Sequence, residues 1–371
     1  MADYINIYGQ DILAVASDPA NPTLGQIWYN TTSNTLKGLG VSTAGAWATG
    51  NNLNTARLGL GGAGTQTAGL AFGGYTVPPA ATGSTAVTEE YDGNSWTNSN
   101  PMNTARQYLA GTGTQTAGLA MGGFTGTPPP TGATEEYNGT SWTNSNNLNT
   151  ARNGLAAAGI QTAAVGFGGG SPGNATEEYD GTSWTSVNSM NTGRAFMGRA
   201  GIQTAALSFG GTVPPPLLNA TEEYNGTSWI NSNPLNTARP LAGCGTQTAA
   251  VGFGGEDPLV TAATEEYDGN SWTNVNSMNT ARVALAGDGL QTAAIGFGGE
   301  TPSPTGATEE YDGNSWTTVN PLNTARFWLA GAGTQTAGLA IGGSPIPSGN
   351  GSATEEWAGA GSATTKTITV S

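Results

Sequence analysis

Residues 91 to 106 read YDGNSWTNSNPMNTAR, and close copies of this phrase recur along the chain, each ending in an arginine. The arginines are Arg57, Arg106, Arg152, Arg194, Arg239, Arg282 and Arg326, spaced 42 to 49 residues apart. Ten residues before each stands a tryptophan: Trp47, Trp96, Trp142, Trp184, Trp229, Trp272 and Trp316. After the arginine comes a run such as QYLAGTG and then TQTAGLAMGG, whose second glycine lies 17 residues past the arginine in six copies. In the copy beginning at Arg239 the distance is 16, and Pro240 follows the arginine. The next landmark is TEEY, starting at Thr88, Thr134, Thr176, Thr221, Thr264 and Thr308, with TEEW at Thr354. Nearly all variation in length falls between the double glycine and TEE.

A segment that cannot change length by one residue is expected to be paired in a sheet, because a one-residue slip turns every side chain to the wrong face. A segment that changes freely is a surface loop. Each unit therefore reads as four short strands, as in ARQYLAGTG, TAGLAMGG, ATEEYNG and SWTNSN. The Asp-Gly or Asn-Gly between the last two is a strong hairpin signal. No segment shows a sustained helical period. Seven four-stranded units of this length predict an all-β, seven-bladed β-propeller over residues 46–371, preceded by a short extension at 1–45.

The order of arginine, small-apolar strand, Gly-Gly, Glu-x-Tyr-Asp and Trp resembles the kelch repeat over about residues 47 to 371, although Thr and Ala stand where kelch strands carry larger aliphatics. The chain also resembles the Gly- and Thr-rich kelch-like proteins of tailed bacteriophages, particularly marine ones. In those proteins a segment like DPANPTLGQIWYNTTSNTLKG, here residues 18 to 38, precedes the repeats. The resemblance implies a virion protein of the tail, a fibre or the capsid surface, made in a host cytoplasm, with other virion proteins or a host-surface glycan or protein as partners.

Composition narrows the classes. The 371 residues carry 10 Lys and Arg against 25 Asp and Glu, a formal charge of -15. Without a basic cluster, neither nucleic acid nor an anionic membrane surface is an expected partner. No apolar stretch is long enough to cross a bilayer, and MADYINIYGQ lacks the basic start and apolar core of a signal peptide. The single cysteine, Cys244, excludes an intramolecular disulfide and stands where other copies hold a small residue. With no histidine, a Ser-His-Asp device and the usual imidazole metal sites are ruled out. No cofactor and no enzymatic activity are expected. Oxygen-only calcium binding by Asp92, Asp180, Asp268 and Asp312 stays open beside their simpler role in hairpin turns, where Asn138 and Asn225 replace them. Homo-oligomerisation is also left open.

The C-terminal TTKTITV alternates like a strand and follows TEEW at hairpin distance. It is the expected closing strand of blade seven, with the Trp47 strand as an extra strand or cap. Closure by the Trp47 strand is the alternative.

Seven arginines matched by seven glutamate pairs point to a scaffold role, an ion pair within or between blades, shared with the tryptophans. A sevenfold repeated acid pair is equally unlike the one distinctive pair a glycosidase needs. Specificity is expected in the variable loops, which should emerge on one face. Their candidate contact residues are Tyr75, Pro78, Phe124, Pro129, Pro215, Leu217, Leu218, Leu259, Pro302 and Ile346. Neutral drift of unconstrained loops is the competing explanation.

Overall fold

The computed structural model describes residues 12–19, 22, 26–41, 45–76, 83–170, 173–212, 216–344, 351–360 and 363–367. The chain divides into two compact units, Trp47–Trp357 and a smaller one made of Met1–Ala46 with Ala358–Ser371.

Among the described residues, the larger unit is built from seven four-stranded sheets. The second blade shows the pattern: Ala110–Thr114, Ala117–Met121, Thr134–Tyr137 and Trp142–Ser145 follow one another as antiparallel neighbours. Its register sets Tyr137 between Gly118 on one side and Trp142 on the other. The first strand of each blade is innermost. Each inner strand touches those of the two neighbouring blades, and Ala330–Thr334 returns to Gly61–Thr65, so the ring is closed. This is a seven-bladed β-propeller.

The seventh blade corrects one expectation. Its outer strand is Ala46–Thr49, beside Thr354–Ala358, and Gly50 donates its N–H to the Thr354 carbonyl at 3.0 Å. The C-terminal strand Ala363–Thr367 instead pairs antiparallel with Thr35–Val41. Trp47 explains the choice, since its indole makes the contact that every other outer-strand tryptophan makes, and TTKTITV has no residue to replace it.

Three sets of hydrogen bonds run round the ring, each sevenfold. Every outer-strand indole donates to the TEE threonine of the preceding blade at 2.8–2.9 Å, from Trp142 to Thr88 through Trp96 to Thr354 and Trp47 to Thr308. Every TEEY tyrosine gives its hydroxyl to the second glutamate of the preceding blade, as Tyr137 does to Glu90 at 2.6 Å. In the seventh blade Trp357 takes over, its indole reaching Glu310 at 3.0 Å. Burial pushes these phenols up, Tyr137 to about 12, and the neighbouring glutamate adds to the shift. The glutamine of each TQTA, IQTA or LQTA turn donates to the carbonyl of the preceding blade's Tyr or Trp at 2.6–2.9 Å.

Glycine in the inner strands follows from the aromatic packing between blades. A Cβ on Gly111 would lie 2.6 Å from the Phe72 ring of the neighbouring blade, and one on Gly243 would lie 2.4 Å from Phe209. The inner strands are small because the second-strand phenylalanines occupy the space beside them.

The smaller unit holds a four-stranded sheet. Leu13–Val15 runs parallel to Ile27–Asn30, which forms a hairpin with Thr35–Val41, and Ala363–Thr367 completes it. Asp18 organises this sheet by accepting from Trp28 at 3.0 Å, Asn30 at 2.7 Å and Lys37 at 2.7 Å. Those bonds, with Lys37 foremost, hold its carboxyl down at about 2.

Candidate functional site

The seven repeated arginines are buried. Each meets the first glutamate of the TEE in its own blade at 2.5–3.2 Å, from Arg57 with Glu89 to Arg326 with Glu355. Arg106 Nη1 lies 3.2 Å from Glu135 Oε1, close enough for an ion pair but not aligned for a hydrogen bond. The glutamate also receives the backbone N–H of the asparagine in NTAR or NTGR, as from Asn103 at 2.6 Å, and of the following threonine, as from Thr104 at 3.1 Å. NTAR is thus a carboxylate-binding turn that fastens the crossing segment to the blade it enters. The arginine satisfies backbone carbonyls as well: Arg57 donates to Val87 at 2.5 Å and to Ala71 at 3.2 Å. Burial lowers the Arg57 guanidinium to about 10, while Glu89 opposes that shift. With the seven arginines at most 1% exposed, a ligand in solution has no access to them.

The hairpin aspartates are occupied too. Asp92 accepts the N–H groups of Asn94 at 2.9 Å and Ser95 at 2.7 Å, and those bonds lower its carboxyl. Asn138 accepts the equivalent pair from Thr140 and Ser141 at 3.0 and 2.9 Å. Either residue supplies the one oxygen the turn requires.

The variable loops share a face with the segments that enter the inner strands, because the two pair directly. Gln107 exchanges backbone bonds with Phe124, Ala195 with Thr212 and Val283 with Glu300. Of the expected contact residues, Leu259 is 78% exposed at the tip of the small hairpin Glu256–Asp257 with Leu259–Val260. Pro129 and Pro302 are exposed, whereas Tyr75, Phe124, Leu217 and Leu218 are half-buried. Pro78, Pro215 and Ile346 lie outside the described residues.

Sequence reasoning missed a second group. The seven inner strands enclose a channel space of about 600 Å³. Its walls are glycine, alanine and one leucine or methionine from each blade, except where the repeat is broken. Arg199 stands where the other blades hold Gly62, Gly111, Ala157, Gly243, Gly287 and Gly331, and Asp288 aligns with Ala63, Thr112, Ala158, Ala200, Cys244 and Ala332. Arg199 is exposed within the channel, which it lines. Desolvation by the channel walls lowers its guanidinium, and the charge of Asp288 opposes that effect. Asp288 Oδ2 has no hydrogen-bond partner among the described residues, and burial pushes its carboxyl up to about 7 against the pull of Arg199. The same surroundings, with Asp288 contributing, raise the Cys244 thiol.

At the channel mouth on the loop side, the residue two positions after the arginine has a left-handed backbone in six blades. These are Gly59, Tyr108, Gly154, Phe196, Ala284 and Trp328, with φ between 50° and 63°. Phe196 and Trp328 are 61% and 52% exposed. A readable signal did exist, since Arg199 is the one arginine without a tryptophan ten residues before it.

No protein-family model and no curated protein matches the chain. Among solved structures, that of YjhT is similar: the alignment covers 73% of this chain and 99% of that one, with a TM-score of 0.54 and 12% identity. At that identity the likeness concerns the fold.

Proposed function

We propose that this chain is a non-enzymatic virion protein of a tailed bacteriophage, a kelch-like propeller that attaches to a host surface or docks onto other virion proteins through its loop face. The observation that supports the binding role is the division of the molecule. Repeated charged and aromatic groups are consumed inside and between blades, whereas the non-repeated exposed ones gather on the loops and at the channel. The virion assignment rests on the resemblance of the leader at 18 to 38 and of the Gly- and Thr-rich repeats. Mass spectrometry of purified particles tests it: the protein is expected among the virion proteins, and its absence overturns the assignment. Particles whose seven loops are shortened should assemble but adsorb poorly.

A second reading, a free carbohydrate-binding or carbohydrate-processing propeller, is favoured by Arg199 and Asp288, which form a polar constellation the repeat does not duplicate. Turnover of a saccharide by the purified protein would select it.

A further inference from the structure

We propose that the channel mouth holds a binding slot for a carboxylate-bearing saccharide, a hexuronate-type ring seated between Tyr108 and Phe196 above Gly154, with Arg199 as the partner of its carboxylate. The inference rests on the binding role proposed above and narrows it to one place and one ligand class.

Backbone strain is the first support. A side chain in the left-handed region costs about 1–2 kcal/mol, and glycine avoids that cost. Gly59 and Gly154 show that this propeller is built with glycine at the position, yet Tyr108 and Phe196 occupy it at φ 51° and 53°. Strain kept where the fold has an unstrained solution points to function.

The second support is shape. Tyr108, Gly154, Phe196 and Arg199 line a cavity of about 220 Å³, with Leu109 and Leu155 among the aliphatic residues beneath. Two aromatic residues and an aliphatic floor offer apolar contact to the C–H groups of a sugar ring, and the volume suits one ring rather than a folded partner. Polar groups complete the slot. Tyr108 donates its N–H to the Gly59 carbonyl at 2.9 Å and Gly154 to Tyr108 at 3.0 Å, so neighbouring blades are tied by a backbone rung. Among the described residues no such rung joins Gly154 to Phe196, which leaves an acceptor and a donor for hydroxyl groups at the edge of the cavity.

Charge selects the class. Seven of the eight arginines are held in buried ion pairs, and Arg199 makes no ion pair or hydrogen bond among the described residues. Asp288 lines the same channel and carries a partial negative charge near neutrality. A single carboxylate suits that field better than a dianionic phosphate.

The test is calorimetric titration of the full chain with trigalacturonate and with its methyl ester, which has the same rings without the charge. The acid should bind saturably and the ester at least tenfold more weakly. Arg199→Gly, which installs the residue of five other blades, should reduce the acid to the level of the ester. Gly154→Asn should remove binding of both, because a Cβ there meets only the Phe196 ring, at 3.7 Å, and asparagine tolerates the left-handed backbone. Arg199→Gly should keep the wild-type unfolding temperature, and Gly154→Asn should stay folded with only a small drop, since a side chain at φ 63° costs about 1–2 kcal/mol. Equal binding of acid and ester, an Arg199→Gly protein that binds the acid like wild type, or no binding by the wild type overturns the slot. None of those results alters whether the protein is found in virions, so failure here is separable from failure of the proposed function.

Discussion

At the blade interfaces three sets of polar contacts are repeated round the ring and find their partner in the same place, whereas around the channel mouth the residue two positions after the arginine changes from blade to blade. The indole–threonine, phenol–glutamate and glutamine–carbonyl bonds each close a circle, and Trp357 keeps the second circle whole by reaching Glu310. At the mouth, glycine, tyrosine, phenylalanine, alanine and tryptophan alternate at one backbone position. In a ring of identical units, a residue that must fit its neighbour on both sides is copied, and only a residue with no such duty is free to differ. Repetition here marks structure, and departure from repetition marks the place to look for recognition.

The comparison is tested most severely at the seam. Trp47 comes from the far end of the chain and closes both the ring and the indole–threonine circle, so Trp47→Ala should destabilise by about 3–5 kcal/mol, the usual range for a buried tryptophan. Denaturant unfolding followed by tryptophan fluorescence measures it. Loss of the C-terminal strand Ala363–Thr367 should leave the indole circle intact, because that strand pairs with Thr35–Val41.

A smaller effect is expected from Asp288, a channel group that the repeat does not copy. Its carboxyl titrates near 7 in the folded protein against an ordinary value of 3.8, so between those limits the folded state holds a proton that the unfolded chain has released. Stability should therefore be full below about pH 4 and fall as pH rises towards 7, by on the order of 1–2 kcal/mol once channel water is allowed for. Asp288→Asn should flatten that slope in a series of thermal melts.

The smallest effect sharpens the repeated side. Arg194 Nε donates to Ser208 Oγ at 3.1 Å, but Arg106 Nε has no partner, and its blade carries Ala120 where Ser208 stands. Ala120→Ser should supply that partner and stabilise by about 1 kcal/mol, read as a small rise in melting temperature.

Much of the architecture was legible in the sequence because sheet pairing forbids changes of length. The invariant steps from Trp to Arg and from Arg to the double glycine mark four strands and one loop per blade. The matched counts of arginine and TEE point to the ion pairs that the structure contains. The closing strand was harder to read, since alternation in TTKTITV marks a strand without saying which sheet takes it. The decisive sign was Trp47, already in phase with the other six. The TEE threonine and the TQTA glutamine act across blades, and nothing local to their own segment reveals a partner in the preceding one. Arg199, Tyr108 and Phe196 were hidden for the opposite reason: attention to what recurs passes over the residue that occurs once.

The central claim, that repeated cations build the propeller and the unrepeated one serves its surface, is tested most directly by thermal unfolding of Arg106→Met beside Arg199→Gly. Removing Arg106 leaves Glu135 buried without its counter-charge, so a loss of about 3–5 kcal/mol is expected. Arg199→Gly should stay within about 0.5 kcal/mol of wild type. An Arg106→Met protein as stable as wild type, or an Arg199→Gly protein that unfolds as readily as Arg106→Met is expected to, would contradict the account.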